Sequence, residues 1–179
     1  MRIGIDIDGT INNFTDVAVK YVEKDYGIKW NGVDYNIYPN MSLKEIHAFM
    51  DKYREEFVQE VKPLENAKEV IDELLNAKNQ IFFITARDYL IAEDTLRWLR
   101  MNGFSYTDIL FNCGNKVDAC KFKQVDFMID DAPHNLMALN EENVPYIVFD
   151  QPYNQEIYGE EFRAKNWNDL YNFFGFLSM

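Results

Sequence analysis

Four short apolar runs punctuate the chain, and each ends on a polar residue. Ile3-Gly4-Ile5 leads to Asp6, Ile81-Phe82-Phe83-Ile84 to Thr85, Phe127-Met128-Ile129 to Asp130, and Tyr146-Ile147-Val148-Phe149 to Asp150. Asp108-Ile109-Leu110-Phe111 is a weaker fifth run. Short runs rich in β-branched and aromatic residues, set between helical periods, read as buried parallel strands. The intervening segments repeat every three and four positions. Ala67, Val70, Ile71, Leu74 and Leu75 form one stripe; Ile91, Thr95, Trp98 and Leu99 form another, stopped by Gly103. A short helix is expected over 116–123, and another from Pro133 that turns Leu136 and Leu139 inward. Asn166 is placed to cap a last helix bearing Trp167, Leu170, Phe174 and Leu177. Strand–helix alternation of this kind predicts an α/β fold, a doubly wound parallel sheet.

One stretch breaks the rhythm. The gap between the first and second runs is far longer than a single crossover helix needs. Two helices fit in it. The first carries Phe14, Val17, Ala18, Tyr21 and Val22 and stops near Gly27. The second opens on Ser42 and Glu45, a capping box, and carries Leu43, Ile46, Met50, Tyr53 and Phe57 along a seam. Asn31-Gly32 between them signals a turn, read as a small hairpin. Pro63 closes the excursion. The expected organisation is a sheet domain from residues 1–13 and 63–179, with residues 14–62 a small helical cap inserted after the first strand.

The chain has 179 residues, enough for one domain with an insertion, and it needs no disulfide or structural metal to hold a core. Thirty acids against 18 bases give a net charge of −12. A surface that acidic repels phosphate backbones and anionic headgroups, so neither a nucleic acid polymer nor a membrane is an expected partner. A small phosphorylated metabolite remains open, because a bound cation and a local basic residue reverse the field inside one cleft. Cys113 and Cys120 are too few for a disulfide scaffold and are read as free thiols. With no apolar h-region behind Met1 and no apolar run long enough to span a bilayer, the expected location is cytoplasmic. The oligomeric state is not legible.

The chemistry gathers at the ends of the runs. Asp6 and Asp8 lie two apart, so on a strand they share a face. At the carboxyl end of a central parallel strand that face opens on the ligand crevice. Two carboxylates this close repel unless a cation or a shared proton relieves them. An isolated D-x-D-G reads equally well as an acidic turn, but here Thr85 and the pair Asp130-Asp131 close other strands on the same sheet edge. Lys116, at the start of a helix preceding the Asp130 strand, brings a cation to that edge; Lys121 and Lys123 lie further along, toward the opposite edge. Hard carboxylate oxygens suit Mg²⁺, which also accepts a phosphate oxygen. Thr85 can donate to a phosphate, and Lys116 can neutralise it.

In this order the residues resemble the haloacid dehalogenase-like (HAD) phosphohydrolase superfamily. The resemblance rests on Asp6-Ile7-Asp8-Gly9-Thr10, Phe82-Phe83-Ile84-Thr85, Lys116 and Ile129-Asp130-Asp131, and the insertion after the first motif resembles a C1-type cap. Length, cap size and the Ile-Asp-Asp-x-Pro ending look most like the 5′(3′)-deoxyribonucleotidase branch and its bacterial relatives. The resemblance implies a Mg²⁺-dependent phosphomonoesterase, a 5′-nucleotidase acting on nucleoside monophosphates. Asp6 would be the nucleophile that forms an aspartyl-phosphate, and Asp8 the general acid and base. Thr85 and Lys116 would hold phosphate. Asp6, the backbone carbonyl of Asp8, and Asp130 would hold the metal, with Asp131 supporting it.

Further residues carry alternative readings. Arg87 could reach a phosphate or substrate group, or pair with a nearby acid. Phe14 reads as core; Trp30, Tyr35 and Tyr38, in the loop between cap helices, read as substrate contacts, with Trp30 and Tyr35 the chosen candidates. His47 and His134 lack the spacing of zinc ligands. The stretch Glu156 to Glu161 reads as a solvated loop. Two other functions compete: a phosphatase of sugar phosphates or other small phosphoesters, and a non-catalytic phosphoacceptor module like a response-regulator receiver. In a receiver the phosphorylated Asp closes the third strand, whereas here that run ends Phe111-Asn112.

Overall fold

The computed structural model describes residues 1–157 and 162–177, without the side chains of the last two. Six strands form one parallel sheet: β1 (Arg2–Ile5), β2 (Gln80–Ile84), β3 (Asp108–Leu110), β4 (Phe127–Asp130), β5 (Tyr146–Phe149) and β6 (Arg163–Ala164). Their spatial order is β3-β2-β1-β4-β5-β6. β1 is central, with Ile3 in register with Ile81 on one side and Phe127 on the other. The first four runs and the weaker fifth all form strands. β6 was not foreseen, because two residues are too few to show a period.

Both faces of the sheet are covered, as a parallel sheet requires. On one face Ile3, Ile5, Phe83, Ile129 and Phe149 pack with α1 (Phe14–Tyr26), α4 (Ala67–Asn76), α5 (Ala92–Met101) and α8 (Trp167–Leu177). On the other, Phe82, Ile84, Met128 and Val148 meet α6 (Lys116–Lys123) and α7 (Pro133–Glu141). The helices before and after β2 lie on the first face, and the next two crossovers lie on the second. The winding therefore reverses beside β1, which opens the crevice at the carboxyl ends of β1 and β4. Local capping residues bound the helices. Gly27 ends α1 at φ 65°, Asn115 Oδ1 accepts from Val117 N at 3.0 Å, and Asn166 Oδ1 accepts from Asp169 N at 3.1 Å.

The excursion between β1 and β2 departs and returns along one seam. Asn13 N donates to Lys62 O at 3.1 Å, and Leu64 N to Ile11 O at 2.9 Å. Within it the expected second helix is two helices, α2 (Leu43–Lys52) and α3 (Arg54–Glu60), broken at Tyr53. The Tyr53 ring packs 4.2 Å from that of Tyr21 and its hydroxyl donates to Asp25 at 2.8 Å, so α2 leans on α1. α3 packs on α1 as well, with the Phe57 ring 5.2 Å from that of Phe14 and 5.9 Å from that of Tyr21, and it also meets α5, where Arg54 pairs with Asp94 and Arg97 with Glu55. Leu43, expected on the seam, is 76% exposed, and Phe49 takes the buried place. The hairpin expected at Asn31-Gly32 is instead an Asx turn, with Asn31 Oδ1 accepting from Val33 N and Asp34 N at 3.0 Å. Of the Glu156–Glu161 stretch, Glu156 is exposed and Ile157 half-buried; 158–161 fall outside the described residues. Cys120 is buried and Cys113 half-buried, both free thiols. Among the described residues no helix is long and apolar enough to cross a membrane.

Candidate active site

The crevice beside β1 collects the charged residues of the sheet's carboxyl edge. Asp6 follows β1 directly, Asp130 is the last residue of β4, Asp131 follows it, and Thr85 follows β2. Asp6, Asp130 and Asp131 are all buried, and each offers a carboxylate oxygen within 4.8 Å of the other two. Lys116, the first residue of α6, is 2% exposed and reaches into this cluster. Its Nζ lies 2.5 Å from Asp6 Oδ1 and 2.8 Å from Asp130 Oδ2. Lys121 lies at the surface against Glu142, and Lys123 against Asp108.

Three buried carboxylates against one ammonium leave two negative charges unmatched. The imbalance is visible in the protonation equilibria. Burial pushes Asp6 up to about 7; Lys116 opposes this, while Asp130 and Asp8 add to it. Burial also raises Asp131 well above the ordinary carboxylate range, helped by Asp6 and Asp130. Burial alone would lower Lys116, but Asp130 and Asp6 outweigh it and hold the ammonium charged. A divalent cation with hard oxygen ligands would balance this donor set.

Asp8 is in a different environment. It belongs to the turn after β1, and its carboxylate is gripped by Arg87, with Nε 2.8 Å from Oδ2 and Nη2 2.6 Å from Oδ1. Asn12 Nδ2 adds a bond to Oδ1 at 3.2 Å. Arg87 also donates from Nη1 to Thr95 Oγ1 at 3.0 Å, and its guanidinium lies 5.7 Å from the Phe14 ring centroid. Thr85 is buried; its Oγ1 accepts from Arg87 N at 3.1 Å, which leaves the hydroxyl proton available to a ligand. The two carboxylates expected on one face thus answer to two different cations.

Several supporting residues were not read from the sequence. Asn135 Nδ2 donates to both Asp130 oxygens at 3.3 and 3.2 Å, and Ala132 N donates to Oδ1 at 2.9 Å. Asp131 Oδ1 accepts from Thr10 Oγ1 at 2.8 Å, and Oδ2 accepts from the Tyr153 hydroxyl. Asn154 Nδ2 ties Asp131 O to Phe149 O, both at 2.8 Å. Gly9 sits at φ +80°, and a Cβ there would collide with Asp131 Oδ2 and come within 2.7 Å of the Tyr153 oxygen. The Gly-Thr of the first motif carried a signal for this. Tyr153 carried none, being 22 residues from its partner.

Two hollows share Asp8, Phe14 and Tyr38 in their walls. The larger, about 520 Å³, is lined by Asp8, Arg87, Phe14, Tyr38, His47, Met50, Asp51, Asp88 and Asn112 among others. The smaller, about 280 Å³, runs over Asp131 and Tyr153 beneath Tyr35 and Tyr38. Tyr35 stands there with its ring 5.4 Å from Tyr153 and 5.3 Å from His134. Trp30 is elsewhere. Its indole N–H donates to Asp34 O at 2.7 Å, and it lines a separate hollow of about 70 Å³ with Lys29, Asn31 and Pro39.

The family described as 5′ nucleotidase, deoxy (pyrimidine), cytosolic type C protein matches residues 1–177. This chain belongs to that family. A nucleotidase of Clostridium acetobutylicum is 30% identical over 179 residues, spanning 96% of this chain and 92% of that protein. The crystal structure of a predicted phosphatase from Clostridium acetobutylicum aligns with a TM-score of 0.74 at 15% identity, over 99% of this chain and 98% of that one. A HAD-superfamily hydrolase, subfamily IA, from Geobacter sulfurreducens aligns at 0.63 and 11% identity, over 96% and 95%. At such identities the two structures speak for the fold alone. The chain has a HAD-like fold and belongs to a nucleotidase family, which makes it a hydrolase of phosphoesters with a small phosphorylated substrate. Family membership sets aside the receiver-like phosphoacceptor.

Proposed function

We propose that the protein hydrolyses nucleoside 5′-monophosphates through an aspartyl-phosphate on Asp6. The observation that carries this reading is the division of the two motif carboxylates after β1, Asp6 on Lys116 and Asp8 on Arg87. An Asp6 oxygen bonds to phosphorus as the ester P–O bond breaks, and the leaving oxygen takes its electron pair together with a proton from Asp8. The Asp8 carboxylate then takes a proton from water as that oxygen attacks phosphorus, freeing inorganic phosphate and the Asp6 carboxylate. Nucleophile and acid–base duties fall to two carboxylates with different neighbours. Lys116 steadies the charge on the transferring phosphoryl group, and the Thr85 hydroxyl donates to it.

Asp6, Asp130 and the Asp8 backbone carbonyl would hold Mg²⁺, with Asp131 braced by Thr10 and Tyr153 as support. When bound, the ion supplies charge neutralisation and alignment for the phosphate. Residues 14–62 act as the cap, and the larger hollow beside Asp8 takes the leaving nucleoside between Phe14 and Tyr38. Apolar rings with a few polar neighbours, His47, Asp51 and Asn112, suit a base and its sugar. The work is placed in the cytoplasm, in line with the family's cytosolic description. Phosphate release from a panel of nucleotides and sugar phosphates, with Mg²⁺ and with chelator, tests the reading. Preference for a sugar phosphate would replace the nucleotide, and full activity in chelator would remove the metal.

A further inference from the structure

Of the two roles its sequence position suggests, Arg87 takes the pairing with a nearby acid, Asp8. It does not sit in the Asp6–Asp130–Asp131 cluster, and it is no surface ion pair, since its side chain is only 14% exposed. Three of its five N–H bonds are committed: the Nε and Nη2 fork goes to Asp8, at 2.8 and 2.6 Å, and one N–H of Nη1 goes to Thr95 at 3.0 Å. Thr95 is fully buried in α5, and its hydroxyl donates to Ile91 O at 2.9 Å, so its oxygen is presented to Arg87 by a fixed helix. The result is a three-part relay, Thr95 to Arg87 to Asp8, running from the rigid sheet domain to a side chain on a turn.

We infer that Arg87 is the positioning residue for Asp8, aiming its carboxylate at the leaving-group oxygen, and that it does not bind the substrate phosphate. A bidentate guanidinium–carboxylate pair fixes the carboxylate plane as well as its place. Without it Asp8 keeps one side-chain partner, Asn12 at 3.2 Å. A carboxylate that must reach first an ester oxygen and then a water tolerates little drift; an ångström of misplacement costs on the order of 100-fold. The inference rests on Asp8 being the proton donor of the proposed mechanism.

The test measures turnover of a nucleoside monophosphate, inhibition by inorganic phosphate, and hydrolysis of an aryl phosphate whose leaving group needs no proton. Arg87→Ala should lower kcat on the nucleotide about 100-fold, leave KM and phosphate inhibition within about threefold, and slow aryl phosphate release far less. Added guanidinium ion should restore part of the loss. Thr95→Val keeps the helix and removes the Nη1 acceptor; it should show the same kcat pattern at smaller size, and it serves if Arg87→Ala does not fold. An Arg87→Ala enzyme that loses phosphate affinity and keeps kcat would overturn the inference and make Arg87 a phosphate ligand. So would equal losses on both substrates without guanidinium rescue. Asp8→Asn separates the two levels: if it leaves nucleotide turnover intact, the mechanism itself fails, whereas inactive Asp8→Asn beside unimpaired Arg87→Ala refutes only the positioning role.

Discussion

Replacing Lys116 by Met removes the only cation that touches Asp6 and Asp130 among the described residues, while keeping most of the buried stem. At 2.5 and 2.8 Å, each contact is worth roughly 6 kcal/mol of Coulomb attraction for an effective dielectric of about 20. Against that stands a desolvation cost of several kcal/mol per ion, so the net loss on removing one partner is about 3–5 kcal/mol. For a chain of this length each kcal/mol moves Tm by about 2–4 °C, which places Lys116→Met roughly 10 °C below the parent in chelator near neutral pH. Excess Mg²⁺ should narrow that gap, because a divalent cation restores part of the missing charge and binding to the folded state raises Tm by mass action. Turnover behaves differently. Losing one donor that stabilises the transferring phosphoryl group costs about 100- to 1,000-fold, and Mg²⁺ should not recover it. Calorimetry with and without chelator, alongside kcat/KM, reads both effects. Lys121→Met, which removes a solvent-exposed pair with Glu142, is the control and should leave Tm and turnover unchanged. A Lys116→Met protein that melts with the parent in chelator and keeps its turnover would refute the reasoning about the buried cluster.

Asp6→Asn, nearly isosteric, should fold and lose turnover, and near wild-type phosphate release would sink the aspartyl-phosphate. Calcium should replace Mg²⁺ poorly, since its longer bonds and larger ligand number misplace the nucleophile; equal rates in the two metals would contradict a site this tight. Tyr38→Ala should alter the ranking of nucleotide substrates, because Tyr38 lines the larger hollow beside Asp8, while Trp30→Ala should not; competition assays across bases read the difference. In chelator, Asp6 titrates near 7 in the folded state against 3.8 for an ordinary carboxylate, so the folded chain holds a proton that the unfolded chain releases. Its contribution to stability is complete below about pH 4 and is lost as pH rises through about 7. The Tm of the parent should therefore fall relative to Asp6→Asn between pH 5 and 8, and parallel curves would disprove the assignment.

The strands and crossover helices were legible because each is a local pattern: apolar runs of four or so residues, stripes at three and four, and caps such as Gly27 at a helix end and Asn166 at a helix start. The order of Asp6, Asp8, Thr85, Lys116 and the Asp130 pair was legible for the same reason. Parallel strands put their carboxyl ends on one edge, so residues far apart in sequence reach one crevice by topology alone. Local pattern could not supply what depends on side chains meeting from distant segments. The break at Tyr53 lies between contacts that no local period shows, Tyr53 to Asp25 and Arg54 to Asp94. Trp30 and Tyr35 are five residues apart in one aromatic loop, and only the path of that loop sends one over Asp131 and the other away from it. The partner of Arg87 lies 79 residues away, and that of Tyr153 lies 22 away, with no period to announce either. Sequence placed the charges at the sheet edge; which cation holds which carboxylate was decided by packing, because a charged pair forms only where two buried side chains are brought within about 3 Å by the whole fold.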